Sequence, residues 1–139
     1  MRVLPSLVLA LAIGACNQTD DKELSRRVQA LDAIAAEGQV LADGVARDRT
    51  KATFARVHAR VLAEEAQHEA EKLADAPVEP QLKRQRERAV AIAQRLGEAL
   101  TLLQTYPGAE GKGALAGRKV AAAGDEAQRL DGEIADAGR

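Results

Sequence analysis

Aromatic side chains are nearly absent from this chain of 139 residues, which has one Phe, one Tyr and no Trp. Aromatic rings are the usual surfaces on which single-stranded nucleic acids and sugar rings stack. The formal net charge is only −1, so no overall field attracts a nucleic acid either. These two absences exclude nucleic-acid binding and argue against carbohydrate binding.

The motifs of common enzymes are also missing. The sequence has no Ser-His-Asp arrangement, no P-loop, no nucleotide-binding glycine fingerprint and no cluster of histidines and cysteines. It contains only two histidines. We therefore predict a non-enzymatic protein with no cofactor, no metal and no small-molecule substrate.

Cysteine occurs once, at position 16, directly after an apolar segment. Met1 and Arg2 form a short positive region, and the eleven residues from Val3 to Ile13 are predominantly apolar. A segment of this length is too short for a bilayer-spanning helix, which needs about 20 residues. Residues 1–15 are therefore predicted to be a cleaved signal peptide.

The residues around the cysteine carry a resemblance to a known class of proteins. Ile13, Gly14 and Ala15 are small or aliphatic and precede Cys16, and this run resembles the lipobox of bacterial lipoprotein precursors. The resemblance implies signal cleavage after Ala15, lipidation of Cys16 with diacylglyceryl and palmitoyl chains, and a short tether over residues 16–19. The alternative is ordinary signal cleavage after Ala12 or Ala15, which leaves a soluble periplasmic protein with a free thiol.

Such an anchor fixes where the protein works. Each buried methylene contributes about 0.8 kcal/mol to membrane binding, so two or three acyl chains hold a protein in the membrane without appreciable release. Asn17 follows the cysteine, and in lipoproteins of the enteric type a residue other than Asp there resembles the signal for transfer to the outer membrane. We expect a lipid-anchored protein that faces the periplasm, with the outer membrane favoured.

Helical periodicity dominates residues 20–139, which we predict to form one domain. Asp20 followed by Glu23 is typical of a capping box at a helix start. Small and apolar residues then recur three and four positions apart, which is the spacing of one helix face. They are Leu24, Val28, Leu31, Ala35, Gly38, Ala42 and Val45. A turn is predicted between Gly44 and Thr50.

Three more helices follow. The second is predicted from Thr50 to Asp75, with Phe54, Val57 and Val61 beside a stripe of small residues. That stripe consists of Ala55, Ala59, Leu62, Ala66, Ala70 and Leu73. Two nearby prolines end this helix. The third carries Leu82, Ala89, Leu96 and Leu103 one heptad apart and ends at Tyr106-Pro107-Gly108, and the fourth begins after a glycine-rich loop that reaches Gly113.

Four amphipathic helices with short connections pack most simply as an all-α antiparallel bundle, here of three to four helices. The second helix ends in an acidic cluster and the third begins with the basic run from Lys83 to Arg88. Each cluster opposes the dipole of its own helix, so we expect the two to pair in a hairpin. The alternatives for the basic run are contact with lipid head groups and a solvated face.

One spacing resembles that of ferritin-like metal-binding bundles, in which Glu-x-x-His ligates a metal pair. Glu65 and His68 have this spacing, but no second copy of the motif exists, and the other histidine, His58, lies on the same helix. His58 and Glu65 are expected on or near the buried stripe, with His58 a hydrogen-bonded packing residue. The carboxylates available on other helices are Glu37, Glu87, Glu98 and Glu133.

Three functional hypotheses remain. The first is a non-enzymatic envelope lipoprotein that contacts another envelope protein through an exposed helix face. The second is a ferritin-like metal-binding or stress-related periplasmic bundle, and the third is a soluble periplasmic chaperone or adaptor. In size and anchoring the chain also resembles the murein lipoproteins, but it ends in Gly138-Arg139 rather than in lysine, so covalent attachment to the cell wall is not expected.

Overall fold

The computed structural model describes residues 18–139. In order along the chain, these residues form α1 (Asp21–Ala46), α2 (Ala52–Asp75), a short 3-10 turn (Pro80–Leu82), α3 (Lys83–Thr105) and α4 (Gly111–Ala137). No strand is assigned within residues 18–139, where the only β-type pairing is an isolated bridge between Thr19 and Val78. The predicted all-α bundle is confirmed, with four helices.

The helices run alternately up and down. The most extensive contacts join α2 to α3 and α1 to α4, followed by α3 to α4 and then α1 to α2. Each helix therefore has two neighbours around a shared core, and α1 and α3 also meet across it. This arrangement brings the start of α1, the end of α2, the start of α3 and the end of α4 to one end of the bundle.

Local sequence signals explain most helix ends. The Asp20 side chain accepts a hydrogen bond from the Glu23 backbone N–H at 2.8 Å, which is one half of the predicted capping box. The Glu23 carboxylate pairs with Arg26 and Arg27 instead of returning to the Asp20 amide. At the end of α2, Ala76 and Pro77 leave the helix, and Pro80 opens the next turn at a position where a missing N–H has no cost.

The start of α4 differs from the sequence-based expectation. The helix begins at Gly111, two residues before the predicted end of the loop at Gly113. A Cβ atom on Gly113 would lie 2.3 Å from the Gly108 carbonyl oxygen and 2.6 Å from that of Tyr106. The absence of a side chain at Gly113 lets the first turn of α4 fold back onto the loop.

The core is built almost entirely from aliphatic side chains. No polar or charged residue is buried within residues 18–139. The largest fully buried side chains come from all four helices and are Leu24, Leu31, Leu62, Leu73, Ile92, Leu96, Leu100, Leu103, Leu130 and Ile134. Burial of this apolar surface supplies the main driving force for folding, and the alanines between these residues let the helices approach closely.

Polar contacts fix how the helices sit against each other at the surface. Arg88 binds Glu133, and Arg95 binds Glu126 with Nη1 at 3.2 Å from Oε1. The two arginines on α3 are seven residues apart, and so are the two glutamates on α4, in the reverse order. Two ion pairs with this spacing match the register of antiparallel helices.

Candidate functional site

The two residues that carry the strongest sequence signal lie outside the described residues. Cys16, the predicted lipidation site, and Ala15, the predicted cleavage site, both precede residue 18. Thr19, near the start of the described residues, is fixed to the bundle. Its backbone N–H donates to the Pro77 carbonyl oxygen at 2.7 Å. The start of the bundle is thereby tied to the connection between α2 and α3.

The Glu65 and His68 side chains, which have the ferritin-like spacing, do not form a metal site with other residues of the described chain. Glu65 and His68 are both exposed on α2, so the expectation that Glu65 lies near the buried stripe is wrong. Only alanines and two leucines of α2 are buried, and this stripe is too narrow to include position 65. Within residues 18–139 there is no group of three or more His, Cys, Asp or Glu side chains that could hold a metal ion.

The four carboxylates that the sequence offers on other helices as metal ligands have separate environments. Glu37 binds His58, and Glu133 binds Arg88. Glu98 lies in an open groove of about 960 Å³ between α2 and α3, with small side chains such as Ala63 and Gly97 in its lining. The fourth, Glu87, is exposed on α3. The fold therefore does not gather them around one point.

The basic run at the start of α3 pairs differently from the prediction. The α2–α3 hairpin itself forms, but among the described residues no ion pair joins the two helices. Arg88 binds Glu133 of α4, and Arg86 donates to the Ala76 carbonyl oxygen at 2.9 Å. The reason is the rotation of the helices: Glu69 of α2 points toward Arg27 of α1.

One of these ion pairs changes the ionisation of its partners. The Arg88 guanidinium lowers the pKa of the Glu133 carboxyl below its ordinary value, mainly through the hydrogen bond between them. The same hydrogen bond raises the pKa of Arg88. Both side chains are largely in solvent, so the pair positions α3 against α4 more than it stabilises the fold.

The most unusual surface of the protein lies on α2. Phe54, Val57 and Val61 keep 60%, 54% and 40% of their surface exposed. The expectation that they lie beside the buried stripe is wrong. At about 100° per residue they lie roughly 140 to 160° around the helix from buried Ala59. We call this surface the α2 stripe.

The ring of Phe54 is held in place although it is exposed. It stacks on the His58 ring with centroids 5.5 Å apart and an angle of 13° between the planes. His58 Nε2 in turn lies 2.6 Å from Glu37 Oε1 on α1. The prediction that His58 is a hydrogen-bonded packing residue is therefore confirmed, but what it packs against is the exposed phenylalanine.

The sequence contains the signal that would have located the α2 stripe. Phe54, Val57 and Val61 are spaced by three and four residues, as one helix face requires. They form a second apolar stripe on a helix whose alanines already supply the first. When a helix has two apolar faces, one packs on the core of its own fold and the other is available for contact with another molecule.

None of the helices within residues 18–139 combines the length and the apolar character that a membrane-spanning segment requires. In comparisons with known proteins, the chain matches no family model, no curated protein and no solved structure.

Proposed function

We propose that this protein is a lipid-anchored lipoprotein of the bacterial envelope whose helical bundle is a non-enzymatic module for binding another envelope protein. The observation that carries the proposal is the α2 stripe. Contact with water is unfavourable for three large apolar side chains on one outward helix face, and the free energy falls when a partner covers them. Helix faces of this kind are a common means of protein recognition.

The proposed anchor is compatible with the start of the bundle. Cys16 precedes Thr19 by three residues, which span at most about 11 Å when extended. Thr19 is hydrogen-bonded to Pro77, so acyl chains on Cys16 would hold the bundle by the end that contains the α2–α3 connection. The rest of the bundle is then free to reach a partner.

Replacement of the proposed lipid attachment site tests the anchor. Cys16→Ser removes the thiol that would be acylated, and we expect the protein to move from the membrane fraction to the soluble fraction of its native host. Mass spectrometry of the N-terminal peptide from the unaltered protein should show acyl chains on Cys16. A membrane-bound Cys16→Ser protein, or an unmodified N-terminus in the unaltered one, would refute the anchor.

The ferritin-like alternative is tested by elemental analysis of the same purified protein. We expect iron, zinc and manganese at far less than one atom per chain. A stoichiometric amount of any of them would replace the binding-module proposal with a metal-binding one.

A further inference from the structure

The two ends of the bundle expose different side chains. We define the distal half as residues 34–63 and 95–124, and the terminal half as residues 18–33, 64–94 and 125–139. All six exposed large hydrophobic side chains of the described residues lie in the distal half: Val40, Phe54, Val57, Val61, Tyr106 and Leu115. A contiguous exposed apolar patch marks a contact with another molecule, and among these six residues Phe54, Val57 and Val61 share one helix face.

Charge divides the bundle in the same way. The distal half has nine Lys and Arg residues against five Asp and Glu, whereas the terminal half has ten against sixteen. The chain as a whole is close to neutral, so this difference is invisible in its net charge. A positive end and a negative end attract oppositely charged surfaces and steer how they approach.

Several of the distal cations lie near the α2 stripe. Lys51 and Arg60 lie one turn from Phe54 and Val57, Arg56 lies on the same side of α2 as Arg60, and Arg47 and Arg49 lie in the turn just before the helix; all five are exposed. Among the ion pairs of the described residues, only that of Arg60 with Glu64, at 3.9 Å, involves one of these five cations. Toward the start of α2 the stripe is therefore bordered by positive charge that forms only this one ion pair, whereas Glu64 and Glu65, exposed one turn beyond Val61, begin the acidic terminal half.

Phe54 has the character of an anchor residue for binding. Its stack on His58 and the contact of His58 with Glu37 restrict the ring before any partner arrives. An aromatic side chain ordered in advance loses less conformational entropy on binding, which strengthens the contact it makes.

We infer that the distal half of α2 docks onto an acidic protein surface that has an apolar cleft for Phe54 and Val57. The inference rests on the proposed function, because the anchor places this end of the bundle away from the membrane. Phe54 and Asp75, at opposite ends of α2, are 21 residues apart, or about 30 Å along the helix axis. The acidic terminal half repels the same partner, so the contact is confined to the distal half.

Two other occupants fit the surface less well. A second copy would bury the α2 stripe against itself in a two-fold contact, which brings Arg56 and Arg60 of the two copies toward each other. The membrane that holds the anchor lies at the opposite end of the bundle.

Site-specific photo-cross-linking identifies the occupant. Val57 is replaced by p-benzoyl-phenylalanine in the full chain, which is expressed in its native host and irradiated in intact cells. His68 is the matched control position, because it is exposed on the same outward face of α2 but lies in the terminal half. We expect about tenfold more protein adduct at position 57 than at position 68, the ratio for a contact that contributes about 1.4 kcal/mol.

Charge reversal then tests the chemistry of the partner. The double variant Arg56→Glu and Arg60→Glu should reduce the adduct at position 57 about tenfold, equivalent again to about 1.4 kcal/mol. The control is Lys83→Glu with Arg84→Glu, two exposed cations of the terminal half, which should leave the yield unchanged. Thermal unfolding of both double variants shows whether the bundle remains folded, and the yields are compared between folded proteins.

Mass spectrometry of the cross-linked peptide decides the outcome. A segment of another protein that is rich in Asp, Glu and apolar residues supports the inference. A phospholipid adduct, an adduct with a second copy, a basic partner segment, or equal yields at positions 57 and 68 would each overturn it. If Cys16→Ser releases the protein but one of these results appears, the docking inference alone fails; if Cys16 carries no lipid but the acidic adduct forms, only the anchor fails.

Discussion

The apolar side chains on the inward face of α2 are mostly small, whereas those on its outward face are large. The inward face is mostly alanine, with Leu62 and Leu73 as its only large buried residues, whereas the outward face has Phe54, Val57 and Val61. In a helix that serves only its own core, the large side chains would point inward. The contrast indicates that close packing holds α2 in the bundle and that its outer apolar residues serve another contact.

Two adjacent residues of α2 offer the sharpest test of this contrast. Leu62 is 1% exposed and Val61 is 40% exposed. Leu62→Ala leaves a cavity in the core and should lower the free energy of unfolding by about 2 to 5 kcal/mol. Val61→Ala should change it by less than about 1 kcal/mol, because the side chain already contacts water in the folded state.

Urea denaturation followed by circular dichroism measures both changes on the purified protein. If the two variants lose similar stability, the α2 stripe belongs to the fold and not to a partner. The same Val61→Ala protein should show a weaker adduct at position 57 despite its unchanged stability.

Glycines extend the comparison of inward and outward faces to α1 and α4. A Cβ atom on Gly38 would lie 2.9 Å from Leu100 Cδ2 and 3.0 Å from Val120 Cγ1, and both of those side chains are fully buried. Overpacking in Gly38→Ala should therefore lower the free energy of unfolding by about 1 to 3 kcal/mol. The better helix propensity of alanine should offset about 1 kcal/mol of this loss.

Gly132 provides the outward counterpart. A Cβ atom there meets no other group within 4 Å, so Gly132→Ala should stabilise the protein by up to about 1 kcal/mol. The midpoints of urea unfolding should move in opposite directions for the two variants. A Gly38→Ala protein as stable as Gly132→Ala would show that the α1 contacts with α3 and α4 are looser than their distances indicate.

The helices and their core could be predicted from the sequence because periodicity and end signals are local. The alternating spacing from Leu24 onward, the cap at Asp20 and the break at Pro77 each act within a few residues. The start of α4 was missed because the need for glycine at position 113 comes from contact with the loop carbonyls, which only the folded chain brings close.

Contacts between helices were harder to predict, because they depend on how each helix is rotated about its axis. The acidic cluster of α2 and the basic run of α3 are neighbours in sequence, but Arg88 faces α4 and Glu69 faces α1. The α2 stripe could have been found from the spacing of Phe54, Val57 and Val61. The charge difference between the two halves follows from the sequence only once the up-and-down order of the helices is known.

The smallest expected effect concerns the ion pair between α3 and α4. Arg88 lowers the pKa of Glu133, so the pair adds stability above the ordinary pKa of Glu, about 4.3, and loses it as the pH falls through the lowered value in the folded protein. Glu133→Gln should therefore lower the urea midpoint slightly at neutral pH. The difference from the unaltered protein should disappear in acid, where the protonated Glu133 is as uncharged as the glutamine that replaces it.

A matched variant separates this effect from a general change in charge. Glu98→Gln removes an exposed carboxylate of α3 that is absent from the ion pairs of the described residues, so its urea midpoint should show no comparable dependence on pH. High salt should also reduce the effect of Glu133→Gln, since exposed ion pairs are screened. If Glu133→Gln and Glu98→Gln behave alike at every pH, Arg88 and Glu133 do not interact in solution, and the α3–α4 register depends on the buried aliphatic side chains and on the Arg95–Glu126 pair.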